Sequence, residues 1–241
     1  MDVFVDALRE AAVLFLRLDP YVLDIVLLSL RVSGTAVLVA LLLGIPVGVA
    51  VGLGRFPGRR LAVALIHTGF ALPPVVVGLF VYMLLSREGP AGGLELLFTP
   101  TAMILAQALL AAPYVAGITL AAVQAVPEDA RLQARALGLS PLGALLVHLR
   151  EARLGIVAAV VAGFGAVISE VGAVMLVGGN IYGETRVMTT AIVLETRRGN
   201  FAVAMALGLI LLSIAFAVNL FLTRVQQGRR PSGLARALER R

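Results

Sequence analysis

Long apolar runs divided by short charged segments dominate this chain. A membrane-crossing helix needs about 20 mostly apolar residues. Five stretches reach that length: Ile25–Gly54 (uncharged from Val32 to Leu53), Leu61–Ser86, Thr101–Val126, Leu154–Gly179 and Phe201–Thr223. Each is too long for a globular strand and too uniformly apolar for a surface helix. An all-α integral membrane protein with five transmembrane helices is therefore predicted.

Residues 1–24 break this rhythm. They carry Asp2, Asp6, Glu10, Asp19 and Asp24 with Arg9 and Arg17, and the run Ala11–Leu16 is too short to cross. Phe4, Leu8, Ala11 and Phe15 share one helical face, which predicts an N-terminal amphipathic helix lying on the outer membrane surface. An acidic start with no small-residue cleavage site argues against a secretory signal.

The segment 127–153 is too long for a simple connector between spans. Pro127 opens a helix, and Glu128 and Asp129 suit the positive end of its dipole. Ala130, Ala134 and Leu137 follow at helical spacing, and Gly138 suits a helix C-terminus that needs positive φ. Ser140 can cap a second helix with Pro141 at its first position, and Leu142, Leu145, Leu146 and Leu149 form that helix's apolar face. Two short helices meeting at a sharp bend are expected.

Composition agrees with a bilayer protein: 60% of 241 residues are apolar and 14% charged, against roughly 45–50% and about 25% in soluble domains. There is no cysteine, hence no disulfide and no thiolate metal site. All twenty basic residues are arginine. A phosphate-cradling P-loop needs lysine, so ATP hydrolysis would need another chain. His67 and His148, far apart and without an acid cluster, make no metal site, and no nucleophile–base pair suggests catalysis. The net charge of +6 is topological in distribution. The Arg55/Arg59/Arg60 loop, the 127–153 loop and the C-terminal tail hold thirteen arginines and four acids, while the N-terminus and the other two loops hold six and nine. Positive loops stay inside. The N-terminus is thus expected outside and the C-terminus in the cytoplasm, with the basic tail 226–241 near anionic lipid rather than nucleic acid.

The string Gln133-Ala-Arg-Ala-Leu-Gly-Leu-Ser-Pro141, followed by Ala152-Arg-Leu-Gly-Ile156, resembles the "EAA" coupling loop of binding-protein-dependent ABC importer permeases. Leu132 and Arg150 stand where that family carries glutamate and proline. The resemblance implies a transmembrane domain over residues 25–225. It implies that Ala134, Arg135, Leu137, Gly138, Leu139, Ser140 and Pro141 seat on a cytoplasmic ATPase. A narrower run, Ile168-Ser-Glu-Val-Gly-Ala-Val-Met-Leu-Val-Gly-Gly-Asn-Ile181 with Gly183-Glu-Thr-Arg186 and Thr189–Arg197, resembles the tungstate permeases, and more loosely those for molybdate and sulfate. The expected complex is a homodimer with two ABC ATPase subunits, which hold ATP and magnesium, and an extracytoplasmic substrate-binding protein. No cofactor is expected on this chain.

Polar groups inside the spans mark a candidate substrate path: Arg31, Ser33, Thr35, Ser169, Glu170 and Asn180. An acid at mid-membrane costs about 2.5–3.5 kcal/mol on insertion scales and is functional by default. A carboxylate repels an oxyanion, so Glu170 either pairs with Arg31 or plays another part while Arg31 snorkels outward. Hydroxyls such as Ser169 equally bond the preceding helical turn. Arg186, Arg197 and Arg198 read as solvated outer charges. Gly163, Gly165 and Gly172 suit close helix approach, and Pro46, Pro73, Pro74 and Pro113 suit kinks. An ABC permease for molybdate, sulfate or phosphate is the first alternative; a gradient-driven secondary transporter is the second, and no internal repeat supports it.

Overall fold

A computed structural model describes residues 9, 13, 19–127, 129, 133 and 136–227. Its helices, in chain order, are α1 (Pro20–Leu53), α2 (Arg59–Phe70), α3 (Pro74–Leu85), α4 (Pro100–Gln124), α5 (Pro141–Glu151), α6 (Arg153–Ile168), α7 (Gly172–Gly178), α8 (Met188–Arg197) and α9 (Phe201–Gln227), with a single 3-10 turn at Gly92–Leu94.

Three of these, α1, α4 and α9, are long and apolar enough to cross a membrane alone. At 1.5 Å per residue, the 34 residues of α1 reach about 50 Å, well beyond a hydrocarbon core of about 30 Å. Helix α1 begins five residues earlier than the apolar run. Asp19 causes this: its Oδ1 accepts from the backbone N–H of Tyr21 at 2.9 Å and of Val22 at 3.4 Å, and Pro20 sits at a first-turn position whose N–H is not needed. Residues 20–24 thus belong to α1 and not to a separate surface segment. The rest of the expected amphipathic helix lies outside the described residues, apart from Arg9, Val13 and Asp19.

Two expected spans are not straight rods. The stretch Leu61–Ser86 is two 12-residue helices, α2 and α3, which meet at 102°. Consecutive Pro73 and Pro74 remove two backbone donors and push the preceding residues out of helical geometry. The stretch Leu154–Gly179 breaks between Ile168 and Gly172. Pro46 and Pro113, by contrast, sit within unbroken helices. A further bend of 63° joins α5 to α6, and the crossing count reaches five if each bent pair is one crossing.

The core forms where α4 packs along α1. Close approach requires glycine there: a Cβ at Gly48 would sit 2.8 Å from Thr119 Cβ. Gly78 on α3 does the same for α7, since its Cβ would lie 2.6 Å from Ala173 Cα. Gly163 and Gly172 are tight as expected, whereas Gly165 has open space around it. Val32, Val81, Met103, Val174 and Val177 fill the middle of the bundle. Leucines and phenylalanines such as Leu42, Leu212, Phe216 and Phe221 face outward, which a bilayer tolerates and water does not.

Candidate functional site

The break between α6 and α7 exposes backbone groups in a buried place, and polar side chains satisfy them. Glu170, 8% exposed, accepts the Ala173 N–H on Oε1 at 2.9 Å. Its own carbonyl accepts from Thr189 Oγ1 at 2.8 Å. Gln107 on α4 donates Nε2 to the Val167 carbonyl at 3.0 Å, which also receives the Glu170 N–H at 3.2 Å. Ser29 on α1 accepts the Met188 N–H at 2.7 Å, so α8 starts against the same belt. In an apolar interior each of these groups, left unpaired, would cost several kcal/mol. The belt thus satisfies the Glu170, Ala173 and Met188 N–H groups at the helix break, while Gln107 Oε1 stays buried without a partner.

Arg31 forms no ion pair with Glu170; among the described residues the one ion pair joins Arg198 to Glu195. The reason is geometric. Arg31 and Thr35 lie with Leu27, Leu38 and Leu42 on an exposed stripe of α1, one or two helical turns apart, whereas Ser33 faces the interior. Ser169 donates back to the Gly165 carbonyl at 3.1 Å, the local bond that competes with any ligand role.

Asn180 closes α7 with φ of +55°, next to Gly179 at +70°. Its side-chain oxygen accepts from Arg186 Nε and its carbonyl from Arg186 Nη2, both at 3.3 Å. Arg186 also lies over the Tyr182 ring, 5.3 Å from its centroid, and reaches the Tyr21 hydroxyl at 3.3 Å. Arg186 is therefore a structural clamp and not a freely solvated charge. Tyr21 in turn donates to Glu195 Oε1 at 2.9 Å, and Asn200 Nδ2 donates to Oε2 at 2.7 Å. Burial pushes the Glu195 carboxyl up, but these hydrogen bonds and the nearby Arg198 charge outweigh it and leave it below its ordinary value. Arg197 stays exposed.

Of the two short helices expected over 127–153, the second is described and has the expected form, while the first lies outside the described residues apart from 127, 129, 133, 136 and 137. Gly138 has φ of +73°, which a side-chain-bearing residue rarely adopts. Ser140 Oγ accepts the Gly143 N–H at 3.2 Å, and Pro141 opens α5. Leu137, Leu142 and Leu146 are 80%, 66% and 59% exposed, an apolar ridge on an otherwise polar loop, and Leu139 extends it. Ala134 and Arg135 lie outside the described residues.

Gln107, Ser29 and Tyr21 escaped the sequence reading, and Thr189 and Glu195 entered it only inside the tungstate-permease-like run, without a role. A glutamine within the third span, its seventh residue, carries the same signal as Glu170 and could have been found. The role of Glu195 gave no signal of its own, because an acid in an outer loop reads as solvated until the fold buries it.

The chain as a whole has relatives among known proteins. Residues 44–231 match the family described as "Binding-protein-dependent transport system inner membrane component". The chain is 48% identical over 204 residues, 83% of its length and 88% of the relative's, to a "Probable anion ABC transporter permease protein" of Haloferax volcanii. It is 40% identical over 227 residues to the "Tungstate uptake system permease protein TupB" of Peptoclostridium acidaminophilum, covering 94% of this chain and 100% of that one. Among solved structures, inward-facing forms of the MetNI methionine ABC transporter superpose with a TM-score of 0.69 at 18% identity, covering 87% of this chain and 97% of that one. A bacterial alginate ABC transporter in complex with an alginate-bound periplasmic protein gives 0.70 at 18% identity, covering 85% and 79%. The chain belongs to the family of inner-membrane components of binding-protein-dependent transport systems, the membrane subunits of ABC transporters.

Proposed function

We propose that this permease carries a tetrahedral oxyanion inward, tungstate first, with molybdate and sulfate as the nearest alternatives. The observation that carries the reading is the 40% identity to a protein named as a tungstate permease over nearly the whole of both chains. A second tungstate permease, from Campylobacter jejuni, is 35% identical. A dianion entering a cell that is negative inside climbs about 4.6 kcal/mol at 100 mV, since each charge costs about 2.3 kcal/mol. Coupling to ATP hydrolysis supplies that work, and the ATPase is a separate chain.

In this reading two copies related by a two-fold axis enclose the path, because one bundle of this size is too small to gate one. Each copy crosses the plasma membrane of a bacterium or archaeon five times, with the N-terminus outside and the C-terminus inside. Each places its Gly138 elbow on a cytoplasmic ATPase subunit, and Leu137, Leu139 and Leu142 bury their exposed surface there together with Ala134 and Arg135. An extracytoplasmic binding protein supplies selectivity, so the permease needs only weak polar contacts. Of the candidate path residues, Arg31 and Thr35 are the ones whose groups stand exposed and available to an anion. Glu170, Ser169 and Asn180 are engaged in bonds to backbone, Asn180 through its Nδ2 to the Thr190 carbonyl, and Ser33 supports the packing beside them.

The test is uptake by the transporter reconstituted with its ATPase and binding protein. Tungstate should enter only with ATP, and excess unlabelled tungstate should compete best, then molybdate, then sulfate. Uptake that follows a proton or sodium gradient and ignores ATP would favour a secondary transporter instead.

A further inference from the structure

We infer that the cavity between the ends of α1 and α4 and the elbow helix α5 is a binding site for a phosphate-type oxyanion. Its volume is about 350 Å³, and Arg55, Arg59, Gln124 and His148 stand in its wall. None of its described lining residues is acidic, so two guanidiniums share this wall without a carboxylate among the described residues. Arg59 is fixed in place, donating Nε to the Val51 carbonyl at 2.8 Å and Nη2 to the Gly52 carbonyl at 3.3 Å. Those bonds pin its planar fork and leave Nη1 for a ligand. Arg55 is exposed and makes no hydrogen bond to the described residues. Gln124 donates Nε2 to the Gly52 carbonyl at 3.4 Å. A planar guanidinium fixed in a concave place, with a second guanidinium in the same wall, matches the geometry of a tetrahedral oxyanion.

His148 adds a second, independent feature. It is 3% exposed, and its Nε2 lies 2.7 Å from the Val123 carbonyl. A carbonyl only accepts, so Nε2 carries the hydrogen and Nδ1 of the neutral ring is bare. Nδ1 is buried without any partner, an uncommon state for an interior polar atom. His148 stands in the same wall as Arg55 and Arg59, so an anion seated among them changes the surroundings of the ring without needing to touch Nδ1. Two sources carry this chemistry: the phosphate headgroup of an anionic lipid in the inner leaflet, or a soluble oxyanion at the inner mouth. The inference does not rest on the tungstate reading.

The experiment uses the full chain in nanodiscs. The two histidines make His148 a unique reporter once His67 is replaced in a His67→Gln background, and the imidazole nitrogen resonance of His148 is followed. Inorganic phosphate added to phosphatidylcholine nanodiscs should move that resonance saturably, while chloride at equal ionic strength should not. Arg55→Gln, which removes no bond to the described residues, should weaken the effect about tenfold or more, the scale of one hydrogen bond to a charged group. If phosphatidylglycerol in the disc moves the resonance without added phosphate, the occupant is a lipid headgroup; if only phosphate does, it is a soluble oxyanion. A resonance indifferent to both, or an equal response in Arg55→Gln, overturns the site.

Discussion

Glu170 shows how far a single side chain can be understood from composition alone. An acid inside an apolar run announces that something polar needs it, but not what. Its partner is a backbone N–H at the head of α7, a role no charge-pairing rule suggests, because the need arises only when the helix breaks. Replacing Glu170 with alanine leaves the Ala173 N–H unpaired in a buried place and should destabilise the protein by about 1–2 kcal/mol, while Glu170→Gln keeps an acceptor and should lose much less. Thermal unfolding of the detergent-solubilised variants measures both; equal losses would mean the charge, not the cap, is what counts. Glu195 makes a second prediction. Its carboxyl titrates lower in the folded protein than in the unfolded chain, so its contribution is complete above the ordinary carboxylate range and vanishes as pH falls through the lowered folded value. Glu195→Gln should therefore lose stability at neutral pH and show a shallower acid unfolding curve than the parent. A parallel curve would contradict the network described around Tyr21 and Asn200.

Helix length and type were legible, and helix continuity was not. The ends of α4 and α9 fall within a few residues of the apolar runs, because lipid-compatible stretches have few ways to pay for their backbone except as helix. Pro73 and Pro74 were visible as breakers, but a proline pair does not state its bend, and the 102° turn depends on what α2 and α3 pack against. The break after Ile168 has no proline at all; it follows from tertiary partners on α1, α4 and α8. Glycine contacts were half legible, since Gly163 and Gly165 look alike in sequence but only the first is tight. Gly78→Val should thus cost about 1–3 kcal/mol by forcing α3 off α7, and Gly165→Ala should be nearly neutral. Comparable losses at both positions would contradict the packing of α3 on α7.

Assembly determines what a bundle of this shape can do. The elbow's exposed leucines, the uncovered stripe of α1 bearing Arg31, and the outward phenylalanines of α9 are three surfaces with three different expected coverings: ATPase, a second copy around the anion path, and lipid. Arg31→Gln should lower uptake several-fold in folded, fully assembled transporter, since it removes the one cation on that stripe; unchanged uptake would move the path elsewhere. The central claim is that the Gly138 elbow is the seat of a separate ATPase on the inner side. The chain has no cysteine, so Leu137→Cys provides a single thiol at its most exposed point. Crosslinking of the assembled transporter tests it directly. The account predicts a Leu137→Cys adduct with the ATPase subunit and no reaction with an impermeant thiol reagent added outside intact cells. External labelling of that cysteine, with no ATPase adduct under any nucleotide condition, would contradict it.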